Sequence, residues 1–195
     1  MIAIIDYEAG NICSVENALQ RLGASYELTS SPEVIRQADK VILPGVGNAL
    51  KAMESLRASG LADVIPTLRQ PVLGICVGLQ LMCRSSEEGP TEGLGLFDAR
   101  VRRFPDSPEA KVPHMGWNSI GNPDGKLFRD IPGGSYFYFV HSYFADLCPD
   151  TVATCRHGEK LFSAALRWEN FYGTQFHPEK SGSVGAAILQ NFLAL

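Results

Sequence analysis

Pro71-Val72-Leu73-Gly74-Ile75-Cys76-Val77-Gly78-Leu79-Gln80-Leu81-Met82-Cys83 is the stretch on which the fold turns. Residues 71–75 are a short apolar run and 78–83 read as a helix, so a strand passes directly into a helix at Cys76. Chains that make this passage repeatedly build parallel sheets buried on both faces. The upstream sequence repeats it. Ile2–Ile5, Tyr26–Thr29 and Lys40–Leu43 are further short strand runs. Between them, 11–22 carries Ile12, Val15, Ala18, Leu19 and Leu22 at helical spacing and stops at Gly23. Ser31-Pro32-Glu33 opens a second helix with a cap and a proline at its first position, and helical periodicity returns over 49–56 and 61–68. Right-handed crossovers place the C-terminal ends of such strands on one edge, where ligands bind. The loop Pro44-Gly45-Val46-Gly47 and Cys76 both follow strands and therefore share that edge.

From residue 94 to 175 the pattern changes. Aromatic and β-branched residues broken by Gly and Pro predict mixed or antiparallel strands at 96–104, 116–120, 136–140, 151–155, 162–167 and 171–175. A loop is expected at 105–113 and a last helix at 184–192. No repeat, linker or low-complexity tract interrupts the 195 residues. The expectation is one α/β domain over 1–195: a central, mostly parallel or mixed sheet flanked by helices, with additional antiparallel strands in the second half.

Composition narrows the function. Hydrophobic residues at 45% and charged residues at 19% suit a globular chain. A net charge of −4 argues against a nucleic-acid partner, because phosphate binding needs clustered Lys and Arg. The densest basic run, Arg100-Val101-Arg102-Arg103, reads as a solvated strand face or a partner contact. The first residues lack the pattern of a signal peptide, and no apolar stretch is long enough to span a membrane. The cysteines (13, 76, 83, 148 and 155) are odd in number and contain no C-x-x-C pair, which suits free thiols in a reducing cytoplasm. Zinc would need paired spacings, so neither a metal nor a cofactor is expected.

Gly74-Ile75-Cys76-Val77-Gly78 has the form of a nucleophile elbow with Cys in place of Ser. The glycines let strand and helix backbones approach, and the tight turn forces the middle residue into strained geometry. The helix N-terminus favours thiolate over thiol, and the Val77 N–H is placed to stabilise an oxyanion. Taken alone, the pattern fits a small buried apolar residue equally well. The other cysteines lack this setting and read as packing residues.

A cysteine nucleophile needs a base, and the base an orienting group. Gln175-Phe176-His177-Pro178-Glu179 offers both. If the chain stays extended, Glu179 projects from the same side as His177 and holds its tautomer. Pro178 biases His177 toward extended geometry. In Pro44-Gly45-Val46-Gly47, two glycines allow a peptide unit to turn and aim an N–H at developing charge. His114 and His141 would need a close thiol to act, and His157 reads as a surface turn residue.

On these motifs the chain resembles the class I, triad-type glutamine amidotransferases over nearly its whole length. Gly74–Gln80 and Gln175–Lys180 carry the class pattern. Pro113-His114-Met115-Gly116-Trp117-Asn118 and Tyr138-Phe139-Val140-His141-Ser142-Tyr143 point to the branch that serves a separate cyclase. Leu79, where many sister enzymes carry His, disfavours the anthranilate and carbamoyl phosphate branches. The resemblance implies a γ-glutamyl thioester on Cys76, proton shuttling by His177, orientation by Glu179, and an oxyanion hole from Val46, Gly47 and Val77. It implies that Gly47, Gln80, Glu88, Ser142 and Tyr143 hold glutamine. It further implies a (β/α)₈ cyclase partner that takes the ammonia, met by Asn11, Trp117 and Lys180. Ala9 and Ser14 replace the Pro and Asn of some relatives near that partner.

Overall fold

In the computed structural model, which describes residues 1–7, 12–106 and 110–195, the strands of the first half form as the sequence predicts. They are β1 (Ile2–Ile5), β2 (Tyr26–Thr29), β3 (Lys40–Leu43) and β4 (Val72–Ile75). Their pairings, β2 to β1, β1 to β3 and β3 to β4, are all parallel. Every residue of β1 and β4 is buried, which is why these strands read as unbroken apolar runs. The helices between them are α1 (Ile12–Arg21), α2 (Pro32–Gln37), α3 (Ala49–Ala58), the single turn α4 (Leu61–Val64) and α5 (Val77–Met82). Gly23 ends α1 at φ +67°, with the Ala24 N–H donated back to Leu19. Ser31 caps α2 by accepting from the Val34 N–H.

Beyond α5 the chain builds β5 (Cys83–Ser86), β6 (Thr91–Glu92), β7 (Phe97–Arg103), β8 (His114–Gly121), β9 (Tyr136–His141), β10 (Tyr143–Ala145), β11 (Thr151–His157), β12 (Lys160–Trp168) and β13 (Phe171–Thr174), then α6 (Gly182–Leu193). The large sheet has nine strands in the order β2-β1-β3-β4-β13-β12-β11-β8-β9. β13 runs antiparallel to β12 but parallel to β4, so it joins the two halves. Four strands, β10-β7-β5-β6, form a second sheet that the periodicity did not announce. Only β7, expected at 96–104, was legible; the other three strands are short, and β5 reads Cys83-Arg84-Ser85-Ser86, with no apolar alternation to detect.

The helix expected to run through Cys83 stops at Met82. The backbone N–H groups of Leu94, Gly95 and Leu96 take the carbonyls of Leu81, Cys83 and Met82, so the helix cannot propagate and the chain turns into β5. A Cβ on Gly93 would lie 2.0 Å from the Cys83 carbonyl oxygen, so only glycine permits that approach. The basic run on β7 is a solvated strand face: Val101 is buried while Arg102 meets Asp146 and Glu87, and Arg103 meets Asp106. Of the loop expected at 105–113, residues 107–109 lie outside the described residues. Asn11 and Ala9 lie outside them as well.

The core is continuous, and its aromatic part sits under the second half. Phe176 stacks on Phe137 at 4.1 Å and Phe162 meets Phe139 edge-on. Burying each such ring contributes on the order of 2–3 kcal/mol. No helix among the described residues is long and apolar enough to cross a membrane.

Candidate active site

β3, β4 and β13 are neighbours and parallel, so residues 44–47, Cys76 and 175–177 leave the sheet side by side. The first two loops were legible as sharing an edge; the third arrives from the other half of the chain. Together they open onto a pocket of about 240 Å³.

Cys76 stands at φ 53°, ψ −107°, a conformation that costs a non-glycine residue roughly 1–3 kcal/mol. The flanking glycines explain why it is held. A Cβ on Gly78 would fall 2.0 Å from the Leu43 carbonyl oxygen, and one on Gly74 would fall 2.8 Å from backbone atoms of Gly78 and Leu79. The Cys76 N–H is donated to Thr174 at 2.7 Å, which ties the elbow to β13.

The loop at 44–47 is held at two points. Tyr7, buried, donates its hydroxyl to the Pro44 carbonyl at 2.6 Å. Burial, with the Cys76 charge behind it, raises the Tyr7 pKa, so the hydroxyl keeps its proton for that bond. The Gly45 carbonyl accepts the Val77 N–H at 3.3 Å. This differs from the sequence expectation, which left the Val77 N–H free for an oxyanion. The close packing of a side-chain-free Gly45 against Val77 and Gly78 brings its carbonyl to that donor. Gly47 sits at φ +90°, accessible to glycine without strain.

His177 and Glu179 meet, though not along an extended chain. Pro178–Lys180 is a 3-10 turn, closed by Lys180 N–H to His177 O and Ser181 N–H to Pro178 O. Pro178, which lacks an N–H, suits the first position of that turn. The Ser181 hydroxyl donates to the His177 carbonyl at 2.6 Å and accepts the Tyr138 N–H at 3.0 Å, pinning the turn to β9. Glu179 Oε1 lies 2.8 Å from His177 Nδ1, with the two side chains 3% and 1% exposed. His177 Nε2 is buried with no hydrogen-bond partner among the described residues. Burial opposes charge on His177, but the Cys76 sulfur and then Glu179 more than offset it and push the pKa up to about 10.

Among the residues expected from the sequence, Val46, Gly47, Cys76, Val77, Gln80, Glu88, Ser142, Tyr143 and His177 all line the pocket. Glu88 also accepts the Ala49 N–H at 2.8 Å at the start of α3. Trp117 is 55% exposed on β8, its ring reaching Gly182, two residues beyond Lys180 in the chain. Pro113, Val140 and His141 line the pocket too, and Tyr7, Asn118 and Gln175 stand behind it. Apart from Tyr7, these stand in motifs already quoted from the sequence, but none was given a place in the site. Gln175 carried a signal: it precedes His177 by two residues in the same motif.

His141 and His114 are not bases here, because their ring nitrogens are engaged. His141 Nδ1 lies 2.7 Å from the Tyr143 carbonyl, which only accepts, so the proton sits on Nδ1. Its Nε2 then accepts from His114 Nδ1 at 2.9 Å, and His114 Nε2 accepts from Asn118 Nδ2 at 3.1 Å. Burial pushes the pKa of His141 down to about 3 and of His114 to about 4. His157, expected on the surface, is half-buried and stacked on His114 at 4.2 Å. Burial also raises the thiols of Cys83, Cys148 and Cys155, the last to about 12, which leaves them unreactive at neutral pH.

A mixed sheet whose parallel strands bring a strained cysteine and a buried His–Glu pair to one edge is the framework of an α/β amidase. Residues 3–195 match the family model for glutamine amidotransferase class-I, and the chain belongs to that family. It is 52% identical over 195 residues to the imidazole glycerol phosphate synthase subunit HisH of Bacteroides thetaiotaomicron, covering 100% of this chain and 99% of that protein. It is 45% identical over 196 residues to the subunit of the same name from Escherichia coli, with the same coverage. Among solved structures, a glutamine amidotransferase superposes with a TM-score of 0.74 at 19% identity, over 100% of this chain and 98% of that one, which speaks to the fold alone.

Proposed function

We propose that residues 1–195 are one glutamine amidotransferase domain, the glutaminase subunit of an imidazole glycerol phosphate synthase, serving histidine biosynthesis in the cytoplasm. The observation that carries this reading is the convergence of Cys76, His177 and the 44–47 loop on one pocket, in a chain about half identical to such subunits end to end.

The Cys76 thiolate attacks the side-chain carbonyl carbon of glutamine, and a C–S bond forms. His177 gives its proton from Nε2 to the leaving nitrogen, the C–N bond breaks, and ammonia departs. Water, deprotonated by His177, attacks the thioester, and glutamate leaves as the sulfur recovers its electron pair. Glu179 fixes the proton on Nδ1 and stabilises the imidazolium. Gly47, Gln80, Glu88, Ser142 and Tyr143 hold the substrate. The oxyanion needs donors, and the Val77 N–H serves once the Gly45 carbonyl withdraws and the Val46–Gly47 peptide turns its N–H inward. No cofactor enters these steps.

Ammonia then passes to a (β/α)₈ cyclase. The face for it is the outer side of β8 and β9, where Met115, Trp117 and Tyr136 are 66%, 55% and 59% exposed. Exposed aromatic and Met side chains of this kind are what protein interfaces cover. Asn11, Trp117 and Lys180 belong to that contact. The chain alone is expected to release little glutamate, and addition of the cyclase with its nucleotide ligand to raise the rate by about 10²-fold or more, as gain of an oxyanion donor would. Full-rate turnover by the isolated chain would refute the conditional part.

A further inference from the structure

Behind the nucleophile, at the wall of the pocket that Gln80 lines, two buried amides are locked in one orientation. The Gln80 side-chain nitrogen lies 2.9 Å from the Tyr143 carbonyl oxygen and 3.0 Å from Gln175 Oε1. A carbonyl only accepts, so Gln80 presents its NH₂ group there, one hydrogen to each oxygen. Gln175 must then turn its oxygen toward Gln80, which leaves its NH₂ facing Cys76 Sγ at 3.6 Å. Gln175 is fully buried, so that N–H has no water to turn to. The carbonyl that a protonated thiol would bond, Val140 O, is farther, at 4.0 Å. The sulfur is thus better served as an acceptor than as a donor.

We propose that Gln175 is a catalytic residue: its side-chain N–H donates to the Cys76 sulfur and stabilises the anion, with Gln80 as the positioning residue that fixes the direction of the amide. This rests on the reading of Cys76 as the nucleophile. The thiol proton goes to His177 Nε2, and Gln175 keeps both of its own. When the thioester hydrolyses, the C–S bond breaks, the electron pair returns to sulfur, and the same N–H meets the returning charge. Gln175 therefore assists both halves of the reaction without touching the substrate.

Iodoacetamide alkylation of Cys76 in the full chain, followed by peptide mass from about pH 5 to about pH 10, reads the ionised sulfur directly. In Gln175→Leu and Gln175→Glu the rate at neutral pH is expected to fall about tenfold, the size of one charge-assisted hydrogen bond, and to converge on the unsubstituted rate at the alkaline end. Glutamate release by the cyclase complex should lose about tenfold in kcat with KM for glutamine within about twofold. Gln80→Leu should displace the same profile by about threefold. A Gln175→Leu profile that coincides with the unsubstituted one overturns the proposal. If neither Gln175 variant folds, an undisplaced profile in Gln80→Leu overturns it instead. Glutamate release that survives complete alkylation of Cys76 sinks the nucleophile reading itself, whatever the Gln175 variants do.

Discussion

His177 and the His114–His141 pair are all buried, yet their protonation is drawn in opposite directions. Burial acts against charge in both places, and in the second it prevails, with pKa values near 4 and near 3. At His177 the Cys76 sulfur and the Glu179 carboxylate reverse it, to about 10. The pair's ring nitrogens are bonded to neutral groups, a carbonyl, the Asn118 amide and each other, and positive charge on His157 and His177 lowers their pKa further. Solvent exclusion therefore does not decide what a histidine does; the charge of the group facing it does. The same strand order that brings β13 beside β4 supplies that charge to His177 alone.

The sharpest way to break this contrast is to remove the sulfur. Cys76→Ala should cut glutamate release by about 10⁴-fold or more while leaving the complex with the cyclase intact. It should also bring the His177 titration, followed by imidazole NMR, down from about 10 toward the ordinary histidine range. A His177 midpoint unmoved by Cys76→Ala would mean that the charge comes from elsewhere. Glu179→Gln keeps a hydrogen-bond acceptor but no charge. We expect a loss of about 10³-fold in kcat, with a smaller fall in the His177 midpoint than Cys76→Ala causes, because the sulfur is the larger influence.

Stability against pH tests the two sites together. For His114 and His141 the folded pKa is depressed, so the unfolded chain takes up protons first. Their contribution is present above the unfolded value of about 6.5 and is lost as the pH falls through about 4 for His114 and about 3 for His141. For His177 the folded pKa is raised, so its contribution is full below about 6.5 and is lost as the pH rises through about 10. Denaturant midpoints should therefore fall on both sides. His114→Asn, whose amide can still donate to His141, should flatten the acid limb by about 1–2 kcal/mol, screening allowed for, and leave the alkaline limb unchanged. An acid limb that stays as steep would remove His114 from the account. The smallest effect belongs to Tyr7→Phe. Losing its bond to Pro44 should cost about 1 kcal/mol in thermal unfolding and change glutamate release only a few-fold, without moving either histidine titration.

Much of the site was legible because its parts are local. The elbow lies within Gly74–Gly78, and the His–Glu pair spans three positions. The parallel half was legible because β1, β3 and β4 are apolar runs separated by helical spacing. What escaped was pairing across long separations and structure without periodicity. Nothing local tells β13, already paired with β12, to pair on its other side with β4. The 3-10 turn at Pro178–Lys180 is fixed by Ser181 and Tyr138, which a pattern of alternation cannot see. Gln175 and Gln80 are 95 positions apart, so the orientation of either amide exists only once the sheet has closed.

The bond between the Gly45 carbonyl and the Val77 N–H has a consequence for glutamine economy. On the proposed reading, opening the loop breaks that bond and offers the chain nothing of its own in exchange. The bond alone supplies a bias of about 1.4 kcal/mol, about tenfold toward the closed loop. The unturned Val46–Gly47 peptide supplies the rest of the roughly 10²-fold restraint. A subunit made in excess of its partner would then idle, sparing most of the cell's glutamine from futile hydrolysis. Supply of the two subunits need not be matched closely, because the surplus is held in check by one backbone contact and the peptide beside it.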